Sequence, residues 1–196
     1  MEMIVQGKQM DVGEALTQHV KDKLSEMDHK YFNNATEATV TFSKKGRGSE
    51  KFKAIISFNV GKNIEVVTEA AGEDPYVAYD SAYEKASKRL RRYKERLRDH
   101  KSRAEKTPEA EMMKAKAYTL IQEALEGSDE EELEAKDPTI IAEIQTDILK
   151  ISVADAVMRM ELSGRNALLF RNASNNRLSM VYVRRDGNVG WIEPEE

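Results

Sequence analysis

The sequence predicts an α+β fold in two parts, an N-terminal β-α-β-β-β-α unit and a small C-terminal α/β unit with an antiparallel sheet. Two N-terminal stretches repeat apolar residues at helical spacing, and the segment between them alternates apolar with polar residues. An acidic stretch follows, and after it a helical pattern and three short extended runs begin again.

Met3 to Gly7 is a short extended segment. Asp11, Val12, Gly13 and Glu14 then form an opening like a capping box. Val12, Ala15, Leu16, His19, Val20, Leu24 and Met27 give an amphipathic helix of about four turns. His19 reads as a core or boundary residue, because neither His29 nor His100 stands at metal-ligand spacing from it. No metal site and no cofactor is predicted.

From Thr36 the period changes to two. Ala38, Val40 and Phe42 mark one strand; Phe52, Ala54, Ile56, Phe58 and Val60 a second; Ile64, Val66 and Thr68 a third. The turns between them are the basic stretch Lys44 to Lys51 and the tripeptide Gly61, Lys62 and Asn63. Asp74 is placed to cap the next helix, with Pro75 in its first turn, where a missing N–H is harmless.

That second helix carries Tyr76, Tyr79, Tyr83, Ala86, Leu90, Tyr93 and Leu97 along one face, over about 27 residues or roughly 40 Å. Its other faces are crowded with cations. A solvated helix usually mixes Glu and Lys, since like charges four apart repel. Here the imbalance points to a helix that tracks phosphates, the alternative being a merely basic surface helix. Arginine adds a planar fork suited to phosphate oxygens. Lys85, Lys88, Arg89, Arg92 and Arg96 are the first candidate phosphate contacts; Arg91, Lys94 and the turn residues Lys44, Lys45, Arg47 and Lys51 come second.

The net charge of −4 conceals this asymmetry. Residues 1–106 hold 21 Lys and Arg against 17 Asp and Glu, residues 107–138 hold 3 against 10, and residues 139–196 hold 7 against 8. These three spans are the predicted domain, linker and second domain. In the linker, Met113, Ala117, Leu120, Ile121 and Leu125 fit a helix, and Asp129 to Glu134 read as an acidic connection, either a spacer or a screen for the basic helix.

In the last span, Ile140, Ile141, Ile144, Ile148 and Leu149 supply apolar material for docking or a strand. Ser152 and Asp155 open a helix with Val153, Ala156, Val157 and Met160 on one face and Gly164 as its stop. Extended runs follow at 167–171, 177–184 and 188–193, with turns at Asn175-Asn176 and Asp186-Gly187. A unit of this size has a marginal core and an open sheet edge, which favours pairing with a second copy. Leu168, Phe170, Met180, Tyr182 and Trp191 are the candidate contacts of such a homodimer.

Other classes are disfavoured. The chain contains no cysteine, so it has no disulfide or thiolate chemistry. The N-terminus lacks the pattern of a secretory signal, and no apolar run approaches a bilayer span, so a cytoplasmic protein without membrane contact is expected. No phosphate-binding glycine loop, nucleophile elbow or His-x-x-x-His spacing occurs; an enzyme with a small-molecule substrate is not expected.

The order β-α-β-β-β-α with a basic second helix resembles the double-stranded-RNA-binding architecture. The segment from Asp74 and Tyr76 through Asp80 and Lys85 to Arg89, Leu90, Arg92 and Lys94 resembles the bacterial hibernation-promoting and ribosome-associated inhibitor proteins. The runs GRNALLFRN and VYVRRDGNVGWIEP, with the helix from Asp155 to Met160, resemble the C-terminal domain of the long members of that family. The resemblance implies a non-enzymatic factor that contacts rRNA on the small ribosomal subunit at the mRNA and tRNA sites. It also implies a C-terminal dimerisation domain that brings two ribosomes into an inactive pair. An older label for the family, sigma-factor modulation, implies RNA polymerase as the rival partner.

Overall fold

The computed structural model describes residues 1–31, 33, 35–44, 51–60, 64–104, 112–120 and 140–195, with side chains omitted over 97–104. The N-terminal lobe follows the predicted order: β1 (Glu2–Lys8), α1 (Glu14–Tyr31), β2 (Ala35–Lys44), β3 (Phe52–Val60), β4 (Ile64–Gly72) and α2 (Pro75–Ala104). The sheet order is β1-β2-β3-β4. β1 runs parallel to β2 because α1 carries the chain back across the sheet, whereas β2, β3 and β4 are joined by short turns and lie antiparallel.

Period-two patterning turns Ala38, Val40, Phe42, Ala54, Ile56, Phe58 and Val66 to one face, where both helices cover them. α1 contributes Leu16, Val20, Leu24 and Met27, and α2 contributes Ala78, Tyr79, Ala82, Ala86, Leu90 and Tyr93. Asp74 caps α2 as expected, its Oδ1 accepting from the Val77 N–H at 2.9 Å. The helix starts tight against the strand that precedes it, since a Cβ at Gly72 would lie 2.7 Å from the Ala78 nitrogen. The Tyr79 hydroxyl, fully buried, donates to the Val20 carbonyl at 3.3 Å and ties the helices together. Burial pushes its phenol well above the ordinary range.

The expectation of a helix through Met113 and Leu120 is overturned. Met113–Leu120 is a strand, β5, paired antiparallel with β6 (Ile140–Ile148). Met113, Ala117 and Leu120 fit helical spacing, but Met113, Ala115, Ala117 and Thr119 also alternate with Lys114, Lys116 and Tyr118, and the pairing with β6 decides between the two periods. Lys114–Asp147 and Lys116–Glu143 ion pairs, at 2.8 and 2.7 Å, bridge the two strands. Ile121, Leu125 and the acidic run 129–134 lie outside the described residues.

The C-terminal lobe comprises β7 (Lys150–Ile151), α3 (Val153–Ser163), β8 (Ala167–Asn172), β9 (Leu178–Val183) and β10 (Val189–Ile192). Both predicted helix ends are present. The Ser152 side chain accepts from the Asp155 N–H, and Gly164 adopts φ 65° at the C-cap. The sheet is not wholly antiparallel: β7 lies parallel to β8, because α3 crosses between them. With order β7-β8-β9-β10, this lobe repeats the β-α-β-β-β path of the first.

Glu193, just beyond β10, was not singled out by sequence. Its carboxylate accepts from Asn172 Nδ2, Ser179 Oγ and Asn175 Nδ2 at 3.0, 2.9 and 2.8 Å, fastening the chain end to the β8–β9 turn. Those bonds, led by Asn172, hold its pKa below the ordinary value of 4.5. A depressed carboxyl contributes stability that is present above its unfolded pKa and lost as pH falls through the folded one. The C-terminal lobe is therefore expected to lose stability as pH drops below about 4.5. In Glu193→Ala, acid titration followed by circular dichroism should lack that component of the loss.

The two lobes meet through α3, which is apolar on two sides. Ala156 and Met160 pack with Phe170 and Val181 in the C-terminal core, whereas Met158 and Leu162 join the N-terminal core and are 0 % exposed. No helix among the described residues is long and apolar enough to cross a membrane.

Candidate nucleic-acid interface

Successive residues of an α-helix are set 100° apart. On that geometry Lys85, Lys88, Arg89, Arg92 and Arg96 share an arc of about 100° on one flank of α2, next to the buried stripe. Glu84, Glu95 and Asp80 lie outside that arc. The five first candidates thus form one ridge some three turns long. Arg91 stands at the top of the helix and Lys94 on the flank toward α1.

The ridge residues do different things in the folded protein. β4 is the last strand of its sheet, so its outer carbonyls lack a ladder partner. Two cations satisfy them: Lys85 Nζ donates to the Glu69 carbonyl at 2.9 Å and Arg89 Nη1 to the Val67 carbonyl at 2.8 Å. Lys94 Nζ donates to the Lys30 carbonyl at 3.2 Å, in the last turn of α1. Arg92 lies over the Tyr93 ring, 5.4 Å from its centroid. Lys88, Arg91 and Arg96 are exposed and make no hydrogen bond or ion pair among the described residues.

Lys88, Arg92 and Arg96 are consequently the ridge residues most available to a phosphate backbone, while Lys85 and Arg89 also hold the sheet edge. Sequence periodicity finds the ridge but not this division, which depends on β4 being an edge. Of the predicted turn contacts, Lys44 ends β2 and Lys51 precedes β3, both exposed; Lys45 and Arg47 lie outside the described residues.

The candidate pairing residues divide between the two faces of the C-terminal sheet. Phe170 is fully buried under α3 and Leu168 packs beside it, with Trp191 on the same side of the sheet but 52 % exposed. Met180 and Tyr182 point to the opposite face. That open face also carries Leu169 and Ile192, 48 % and 47 % exposed, which sequence reading missed although strand alternation from Phe170 identifies them. Gly190 makes room for Tyr182 there, since a Cβ would lie 2.4 Å from the ring.

Together these features define a two-lobed α+β protein, with a cationic ridge on the helix of its larger lobe and an apolar open sheet face on the smaller. The chain belongs to the family described as Sigma 54 modulation protein / S30EA ribosomal protein, whose model matches residues 3–98, and the model of that family's C terminus matches residues 135–190. Relatives span nearly its whole length. The ribosome hibernation promotion factor of Bradyrhizobium diazoefficiens is 36% identical over 195 residues, covering 99% of this chain and 95% of that protein. Proteins of the same name from Rhizobium meliloti and Bacillus subtilis are 31% and 26% identical, covering 98% of this chain and 97% and 98% of theirs. Among solved structures, the N-terminal domain of Thermus thermophilus Protein Y matches with a TM-score of 0.41 at 22% identity, covering 47% of this chain and 99% of that one. A ribosomal subunit interface protein from Coxiella burnetii matches with a TM-score of 0.40 at 18% identity, covering 48% and 98%.

Proposed function

We propose that this chain is a ribosome hibernation factor. Its N-terminal lobe binds rRNA of the small ribosomal subunit where mRNA and tRNA bind, and its C-terminal lobe pairs with a second copy to hold two ribosomes together. Residues 1–106 form the rRNA-binding domain, 107–138 the connection and 139–196 the dimerisation domain. The protein works in the cytoplasm by occlusion and has no catalytic step.

The observation that carries this reading is the ridge Lys85, Lys88, Arg89, Arg92 and Arg96 on one flank of α2, supported by relatives named for ribosome hibernation across both lobes. A rigid cationic ridge suits an A-form groove, which offers a dense phosphate track and little sequence information to side chains, so recognition is by shape and backbone. A lobe seated there excludes other RNA by volume and charge.

With about six phosphates neutralised, the log–log dependence of affinity on salt should have a slope of about −4 to −5. Sedimentation of the full chain with ribosomes across a salt series checks this, and a ribosome-dimer peak at low salt checks the pairing. Failure to travel with ribosomes at any salt, with capture by RNA polymerase instead, would replace this proposal by the sigma-factor reading.

A further inference from the structure

The second apolar side of α3 lies along β4 and meets the cationic ridge. Met158 and Leu162 are fully buried there, as completely as the sheet's own core residues. Arg165, just past the helix, bonds Glu65 of β4 at 2.9 Å. The left-handed Gly164 sits at the point where Arg89 reaches the Val67 carbonyl: a Cβ added to it would be 3.6 Å from that oxygen and 3.8 Å from Arg89 Nη1.

Beyond this contact a cleft of about 750 Å³ runs between the lobes. One wall is Lys88, Arg89, Arg91 and Arg92 of α2; the other includes Glu161, Gly164 and Arg165 of the C-terminal lobe. The docked lobe therefore sets a wall that includes Glu161 across the cleft from the central cations of the ridge. A phosphate backbone following α2 would have to enter that space.

We infer that the C-terminal lobe, docked on β4 through Met158, Leu162 and the Arg165–Glu65 pair, competes with RNA for the α2 ridge, so that RNA binding releases the lobe. The inference rests on the proposed RNA-binding role of α2. Docking occupies little more than one side of one short helix, and contacts between domains of a chain on this scale are ordinarily reversible. Apparent affinity scales with the open fraction, so a lobe docked nine-tenths of the time weakens RNA binding about tenfold.

The test compares three forms of the full chain on purified small ribosomal subunits at low salt. Met158→Ser/Leu162→Ser weakens docking and should bind about tenfold more tightly than the parent. Because the chain has no cysteine of its own, Glu65→Cys/Arg165→Cys can be joined by a reducible bis-maleimide. The joined form should bind weakly and recover on reduction, which holds the sequence constant and answers the question even if the serine variant fails to fold. Spin labels at Lys21→Cys and Asn188→Cys should report a longer inter-lobe distance once subunits are added. Equal binding by the joined and reduced forms, with an unchanged label distance, would overturn the inference and leave RNA binding by α2 standing. If no form binds small subunits, the proposed function fails and the inference with it.

Discussion

Lys88→Glu/Arg92→Glu is expected to bind small ribosomal subunits on the order of 100-fold more weakly than the parent at low salt while remaining folded. Each charged hydrogen bond to phosphate is worth about 1.5–3 kcal/mol, and losing two of them accounts for that factor before the repulsion from the new carboxylates is added. The same pair changed to glutamine should make the salt slope about two units shallower. Both side chains are exposed and neither caps a carbonyl, so thermal unfolding should move little. Arg89 would be a poorer choice. Its reversal would also strip the Val67 carbonyl of its donor and place a carboxylate against the open edge of β4, confusing lost binding with a damaged sheet. Co-sedimentation with subunits, paired with a melting curve, separates the two effects; normal binding by the folded double variant would remove α2 from the interface.

Leu169→Asp/Ile192→Asp is expected to abolish ribosome pairing while single-ribosome binding persists. Both residues are about half exposed on the open face of the C-terminal sheet, so the lobe should tolerate the change. Charges buried at the centre of an apolar interface cost several kcal/mol, enough to weaken pairing a thousandfold or more. In a sucrose gradient the ribosome-dimer peak should vanish and the protein should remain with single ribosomes. Phe170→Ala should also stop pairing, for a different reason: Phe170 lies in the lobe's own core, and its truncation costs about 3–5 kcal/mol, comparable to the whole stability of so small a unit. Persistence of the dimer peak in the aspartate variant would move the interface away from this face.

What could be read from the sequence was mostly local. Asp74 with Pro75, and Ser152 with Asp155 and Gly164, announce helix ends by chemistry that acts within three or four residues, and the structure has those ends. The cationic ridge was equally legible, since helical period alone puts its members on one flank. The strand β5 was not, because Met113 and Ala117 satisfy both periods, Leu120 fits the helical one, and only pairing with a segment twenty residues away chooses between them. Strand β7 is too short to show a period at all. The edge-capping role of Lys85 and Arg89 depends on which strand ends the sheet, and the second apolar side of α3 depends on a partner far back in the chain. Both are tertiary facts.

The capping of β4 bears on how the chain survives its own synthesis. The N-terminal lobe is complete once α2 has been made, but α3 lies some fifty residues further on, a delay of about 3–10 s at ordinary translation rates. During that interval β4 is the outer strand of a finished sheet with nothing lying along it. Neighbouring nascent chains on one messenger would present the same bare edge to one another, the geometry from which strand-to-strand aggregates grow. Lys85 and Arg89 already occupy the Glu69 and Val67 carbonyls and put positive charge along that edge. The ridge proposed to grip RNA thus also guards the unfinished protein against its own copies.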